Sequence, residues 1–288
     1  MSHLFCFGLG YTARSLARRL VGQGWSVAGT ATTAAGVAEI RALGYDLFPF
    51  DGSAPDPQIS AVLSKASHLL LSAPPGNQGD PVLRVFRDAI ANAANLRWIG
   101  YLSTVGVYGD WDGAWVDETS PARPSSARSI RRLDAEQAWL DFGLQTGRRI
   151  MIFRLAGIYG PGRSAIDNLR EGKARRIIKP GQVFNRIHVE DIATVLAAAL
   201  EGRGTHELYN VSDDEPAPPQ DVIAYAAEVL GVPTPPAIPF ASADLSSMSA
   251  SFYAENKRVR NARIKQDLGV RLAFPTYREG LSALVRQG

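Results

Sequence analysis

The stretch His3–Gly24, HLFCFGLGYTARSLARRLVGQG, decides the fold. Its first eight residues read as a buried strand that ends in glycine. The next fourteen place Leu16 and Leu20 with Ala13, Ala17 and Val21 on one helical stripe, and Gly22 and Gly24 stop the helix. Between strand and helix, Gly8, Gly10 and Ala13 form a G-x-G-x-x-A turn. Glycine there makes a tight turn and lets backbone approach a pyrophosphate, while the helix start offers N–H groups and the positive end of its dipole. A bare turn of this kind is also compatible with a plain strand–helix connection. Its placement between a buried strand and an amphipathic helix is what gives it weight.

The same alternation continues outward. WSVAGTAT, YDLFPFD, SHLLLSAPP, RWIGYLSTVGVYG and RRIMIFRLAGIYG read as strands two to six. GVAEIRALG, DPVLRVFRDAIANAAN and IRRLDAEQAWLDFGLQTG read as helices, the second capped by Asp80 with Pro81 in its first position. Strands alternating with helices predict an α/β Rossmann fold: a doubly wound parallel sheet with right-handed crossovers. After GIYGPGR the rhythm changes. Pro and Ser rise in EPAPPQD and GVPTPPAIPFASADLSSMSAS, and helices near Asp221–Leu230 and Thr276–Arg286 are separated by loops. The expected division is a dinucleotide-binding domain over 1–160 plus about 187–212, and a smaller, irregular substrate lobe over about 161–186 plus 213–288.

Composition narrows the classes. The 288 residues are 45% hydrophobic and 20% charged, with 31 Lys and Arg against 28 acids spread along the chain. That dispersion argues against a nucleic-acid partner, which needs a basic face or stripe. No apolar run reaches bilayer length, and no charged-then-apolar leader precedes the first strand, so the expectation is a soluble cytoplasmic protein. The single cysteine, Cys6, excludes an intrachain disulfide and reads as a small core residue. Four scattered histidines show no metal spacing, and no metal is expected.

A site selective for NAD places Asp or Glu about twenty residues beyond the glycine turn, to bind the ribose 2′-hydroxyl. Here that region is VAGTATTAAG, with no acid before Glu39. NADP is therefore favoured over NAD. Thr32, Thr33 and main-chain N–H groups, with Arg14, are the candidates to hold a 2′-phosphate; as strand-end residues they are equally ordinary.

Five phrases follow in order: YLSTVGVYGD, WVDETSPARP, FRLAGIYGPGR, FNRIHVEDIA and ELYNVSDDEP. With the glycine turn, they resemble the extended short-chain dehydrogenase/reductase superfamily, the NAD-dependent epimerase/dehydratase group, over nearly the whole chain. The resemblance implies a Rossmann domain with a small C-terminal substrate lobe. It implies that Gly8, Leu9, Gly10, Tyr11, Thr12 and Ala13 carry the cofactor, with Asp51 at its adenine and Ser72, Ala73 and Pro74 along its ribose and diphosphate. Asp51 is equally readable as a turn former. Phe7 stands where the group usually has a further glycine.

In that group a Ser or Thr four residues before the tyrosine of the VYG phrase polarises the substrate; here it is Thr104, with Ser103 beside it. A tyrosine and a lysine then sit eight and four residues before a glutamate. Aligning that glutamate to Glu136, in Ser125–Glu136 (SSARSIRRLDAE), puts Arg128 at the tyrosine and Arg132 at the lysine. Arginine stays protonated at any working pH and cannot serve as an ordinary general base. Arg128 can grip a carboxylate, phosphate or developing oxyanion, and Arg132 can still bond ribose hydroxyls. A solvated stripe of Arg128, Arg132 and Glu136 would look the same in sequence.

His188 is the remaining candidate proton donor, or else a histidine hydrogen-bonded between the lobes. Tyr108, Tyr159 and Arg186 are candidate substrate contacts, with Tyr159 also readable as packing. Asp117 and Glu118 guard a cleft or cap a loop. Two functions stay open: an NAD(P)-dependent oxidoreductase or epimerase acting on a small polar or anionic carbonyl, as a monomer or homodimer, or a non-catalytic NADP(H)-binding sensor or scaffold.

Overall fold

Strand β1 is His3–Phe7, and the chain turns through Gly8 into helix α1, Tyr11–Val21. The computed structural model describes residues 2–287. There follow β2 (Ser26–Ala31), α2 (Ala34–Arg41), β3 (Asp46–Pro49), α3 (Pro57–Leu63), β4 (His68–Leu71), α4 (Pro81–Ala91), β5 (Trp98–Thr104), α5 (Ala127–Thr146), β6 (Ile150–Leu155), α6 (Val189–Leu200) and β7 (Leu208–Val211). The seven strands form one sheet in the order β7-β6-β5-β4-β1-β2-β3. Strands β1–β2, β2–β3, β1–β4 and β4–β5 pair in parallel. This is the doubly wound α/β sheet that the alternation predicts, with its order reversing beside β1.

Local chemistry explains the helix starts. Asp80 Oδ1 accepts from the N–H groups of Val82 and Leu83, both at 3.0 Å, and Pro81 opens α4. Thr33 caps α2 by accepting from Gly36 N–H at 3.1 Å. Helix α3 is absent from the sequence reading. Asp56 caps it and Pro57 starts it, but seven residues burying only Ile59 and Leu63 are too short for a period to stand out.

The strand expected over RRIMIFRLAGIYG divides. Strand β6 ends at Leu155, and Gly157–Tyr159 forms a separate short strand parallel to Arg186–His188. Ala156 N–H still donates to Val211 O, whereas Gly157 N–H donates to Asn185 O at 3.0 Å. A Cβ at position 157 would lie 3.1 Å from that same oxygen, so glycine permits the change of partner.

Two compact units result. The first is Met1–Thr104, Ala127–Arg154 and Ala193–Tyr209; the second is Val105–Ser126, Leu155–Ile192 and Asn210–Gly288. The first unit is an aromatic and aliphatic core. Phe7 packs on Phe5, Phe86 and Phe50 at 5.1, 5.2 and 5.4 Å between ring centres, and α5 adds Trp139 and Phe142. Each such fully buried side chain contributes about 1.5–3 kcal/mol.

Apart from the end of β7, the strand pairs of the second unit among the described residues are of two or three residues: Trp115–Val116 with Arg258–Val259, Arg176–Ile178 with Ala237–Pro239, and Gly157–Tyr159 with Arg186–His188. Its helices Pro219–Leu230 and Tyr277–Gln287 lie where the sequence places them. They contribute Val222, Ala226, Tyr277 and Leu281 to a small core with Tyr159 and Ile166. Among the described residues no helix is long and apolar enough to cross a membrane.

Candidate functional sites in each unit

Gly8 has a φ of +87°, the left-handed region that glycine adopts without strain. Its N–H donates to Thr30 Oγ1 at 3.0 Å, and Leu9 N–H donates to Thr30 O at 2.8 Å. A Cβ on Gly8 would meet Ala73 N at 3.2 Å and the Ser72 carbonyl carbon at 3.4 Å. The N–H groups of Ser72 and Ala73 both donate to Phe7 O. The ends of β1 and β4 are thus held together at backbone distance. Gly10, the N-cap of α1, carries no side-chain cap, and a Cβ there would meet nothing within 4 Å. Open space in front of an uncapped helix start is where an anion binds.

Asp51 is exposed and forms a turn: its Oδ1 accepts from Ser53 N–H at 2.9 Å and Ser53 Oγ at 2.6 Å. Those bonds hold its pKa below the usual carboxylate range. The turn-forming reading of Asp51 is the one this geometry matches. Thr32 and Thr33 are exposed, and Arg14 pairs with Glu39 at 3.2 Å.

Across the sheet, β5, β6 and α5 hold a network that no sequence motif singles out. Glu136, on α5, is 3% exposed and accepts from Arg154 of β6 through Nη2 at 2.7 Å and Nε at 3.2 Å; Ser103 Oγ also donates to it. The sequence reading used Glu136 only to set a register. Ser103, expected at a substrate, is buried with its hydroxyl committed to this carboxylate, which corrects that expectation: β5 alternates, so Ser103 and Thr104 point to opposite faces. Thr104 is half-buried at the end of β5. Arg128 is exposed in the first turn of α5. Arg132, one turn on, donates through Nη1 to Tyr101 Oη at 3.1 Å and Leu102 O at 3.0 Å. Its Nε and Nη2 have no protein acceptor among the described residues, so one end of the fork anchors α5 to β5 and the other is unspent.

The second unit treats its candidates differently. Tyr108 is fully buried and donates to Asn210 Oδ1 at 2.8 Å; it is packing, not a substrate contact. Tyr159 is buried, donates to Thr276 O, and lies over Gly280, where a Cβ would be 2.1 Å from the phenol oxygen. Burial pushes its pKa up, away from acid–base use. His188 is 3% exposed, and burial pulls its pKa down to about 4. Its Nδ1 accepts from Glu190 N–H, and its ring packs on Tyr159 and Phe274 at 5.1 and 4.0 Å. A neutral, buried imidazole is no proton donor near pH 7, so that expectation is corrected too. Asp117 and Glu118 cap and brace their loop: Asp117 Oδ1 accepts from Thr119 N–H, and Glu118 Oε1 accepts from Asn210 N–H. Arg186 and Asp213 form a polar cluster of another kind, taken up below.

Residues 82–212 match the NAD dependent epimerase/dehydratase family. A functionally unknown conserved protein from Silicibacter pomeroyi superimposes with a TM-score of 0.90 at 53% identity, over 100% of this chain and 99% of that one. Over residues 82–212 the chain carries the domain of the epimerase/dehydratase family. Protein YeeZ of Escherichia coli (strain K12) is 27% identical, over 96% of this chain and 97% of its own. UDP-glucuronic acid 4-epimerase from Bacillus cereus, solved in complex with NAD, has a TM-score of 0.78 at 19% identity, over 100% of this chain and 97% of that one. At that identity the likeness is one of fold.

The family name implies a nicotinamide dinucleotide, and the residues present fit one. Gly8 leaves a cradle that a Cβ would fill against Ala73, and Gly10 leaves the start of α1 open. Gly8 to Ala13, with Ser72, Ala73 and Pro74, are the residues that could hold its diphosphate.

Proposed function

We propose that this chain binds NAD(P) along Gly8–Ala13 and acts as an oxidoreductase or epimerase on a small polar or anionic carbonyl compound. The observation that carries the reading is the glycine turn in its context: φ of +87° at Gly8, backbone contact with Ala73, and an uncapped α1 behind it. A bound nicotinamide supplies or accepts a hydride. The chain's own contribution is positioning. Thr104 polarises the carbonyl from the end of β5, and Arg128 holds developing negative charge, since it cannot take up a proton. The unspent end of Arg132 would hold the ribose hydroxyls. NADP is the proposed partner over NAD. The region after β2 offers Thr32 and Thr33, and its nearest acid, Glu39, is paired with Arg14.

Titration calorimetry with NADPH and NADH tests this. The expected result is binding of both, NADPH tighter. Binding of neither ends the reading. Turnover over a panel of carbonyl acids and sugars should fall at least tenfold in Thr104→Ala and Arg128→Ala with cofactor affinity kept.

A second reading is supported by the arginines at the register of the family's Tyr/Lys pair and by the neutral state of His188. In it the chain is a non-catalytic NADP(H)-binding sensor. Cofactor binding without turnover of any member of the panel would favour it.

A further inference from the structure

Arg186 begins the short strand Arg186–His188 in the second unit. Its Nη1 donates to two main-chain carbonyls, Phe184 O at 2.9 Å and Ala217 O at 3.1 Å. Guanidinium has five N–H donors. The three on Nε and Nη2 have no protein acceptor among the described residues. Among the described residues no carboxylate lies within ion-pair distance of Arg186, although Asp213 is its strongest charged neighbour. Desolvation disfavours its charge, and a desolvated cation without a counter-ion is costly unless something else supplies one.

Asp213 does not supply it. Its N–H donates to Arg186 O at 2.7 Å, so the two residues are adjacent across the backbone. The side chain is 1% exposed, Oδ1 accepts from Glu215 N–H at 3.3 Å, and Oδ2 has no partner. Burial pushes its pKa up to about 8, which leaves it protonated near neutrality. Arg186 thus keeps open donors with no ion-paired carboxylate among the described residues, and it selects a ligand with negative acceptor oxygens.

Flat apolar surface stands beside it. Burial raises the pKa of the Tyr253 phenol and the nearby Arg186 charge acts against that rise. The Tyr253 ring packs on Phe184 at 5.1 Å and on Phe240 at 5.2 Å, and both phenylalanines are half-buried, with surface to offer. Lys179 Nζ lies 5.3 Å from the centre of the Phe240 ring and donates to Tyr253 O.

We propose that Arg186 binds the carboxylate, and Phe184, Tyr253 and Phe240 the planar body, of an aromatic or conjugated carboxylic acid. The acid's two oxygens take Nε and Nη2, the open side of the guanidinium fork. This names the class of the anionic substrate proposed above and rests on that reading for calling the acid a substrate. The binding itself does not need it.

The test uses the full chain and trans-cinnamate as probe, with cinnamamide and 3-cyclohexylpropionate as controls, read by calorimetry. Cinnamate should bind at least tenfold tighter than either control. Arg186→Gln should weaken cinnamate at least tenfold and leave NADPH affinity unchanged. If Arg186→Gln fails to fold, Arg186→Lys and Phe240→Ala serve: the first keeps charge but loses the fork, the second trims the ring wall, and each should weaken cinnamate at least threefold. Cinnamate that does not bind, binds no tighter than cinnamamide, or binds the Arg186 variants as well as the parent overturns the proposal. NADPH binding without cinnamate binding defeats this inference alone. Cinnamate binding through Arg186 without NADPH binding defeats the cofactor reading alone.

Discussion

The two units reach stability by different means. The first is held by period: apolar strands and helix stripes close on a core of Phe5, Phe7, Phe86, Trp139 and Phe142. The second is held by polar side chains that tie loops together. Asn185 Nδ2 donates to Lys257 O while its Oδ1 accepts from Val259 N–H. Asn256 Oδ1 accepts from Val183 N–H, and its Nδ2 donates to Gly181 O. Asp191 accepts from the N–H groups of Ala273 and Phe274 at 2.7 and 3.0 Å. Hydrophobic burial is non-directional and tolerates change of shape, whereas a stitch of this kind depends on one atom.

The largest effect should nevertheless come from the first unit, at the place where it breaks its own rule. Glu136 and Arg154 form an ion pair with side chains 4% and 7% exposed. Removing one partner strands the other charge, so Glu136→Ala should destabilise by about 3–5 kcal/mol, measured by urea unfolding. Glu136→Leu with Arg154→Met should recover most of that loss, since the desolvation cost goes with the charges. A double variant no better than the single one would show that this core needs the pair itself.

Next comes Asn185→Ala. It strands two buried main-chain groups, Lys257 C=O and Val259 N–H, at about 1–3 kcal/mol each. Hydrogen exchange should quicken at Val259 and its neighbours in the second unit and stay unchanged in β1, β2 and β4. Uniform quickening through both units would contradict the division between stitched and periodic regions.

That division also governs what the sequence disclosed. Period and caps are local, so β1 to β6, α4 with Asp80, and the glycine turn were legible. Stitches are pairwise over long separations: nothing near Asn185 announces Lys257 or Val259, and nothing near Ser103 announces Glu136. The same blindness misassigned Tyr108 and His188, whose residue types suit chemistry while their surroundings suit packing. Asp213 passed unnoticed because its unusual state arises from burial, which ELYNVSDDEP does not reveal.

A smaller effect follows from Asp213 and separates the units by pH. Its pKa rises from the usual carboxylate value to about 8, so across that window the folded protein keeps a proton the unfolded chain has lost. Stability contributed here is present at low pH and falls as pH rises toward 8. His188, lowered to about 4, acts in the opposite sense between there and its ordinary value of 6.5. The Asp213 slope is therefore cleanest above 6.5. Denaturant midpoints should decline between about pH 6.5 and 8, and Asp213→Asn should flatten that decline. An unchanged slope in the variant would place the titrating group elsewhere.

The smallest expected effect concerns the first unit's surface. Arg14 and Glu39 are 31% and 70% exposed, and a pair so open contributes about 0–1 kcal/mol. Arg14→Ala should therefore leave the urea midpoint nearly unchanged. Glu39, freed of its partner, would then oppose a 2′-phosphate near the end of β2. The NADPH-to-NADH affinity ratio should fall severalfold, most at low salt, where exposed charges are least screened. An equal loss for both nucleotides would mean that Arg14 serves the shared diphosphate, and an unchanged ratio would leave Thr32 and Thr33 as the groups that select NADP.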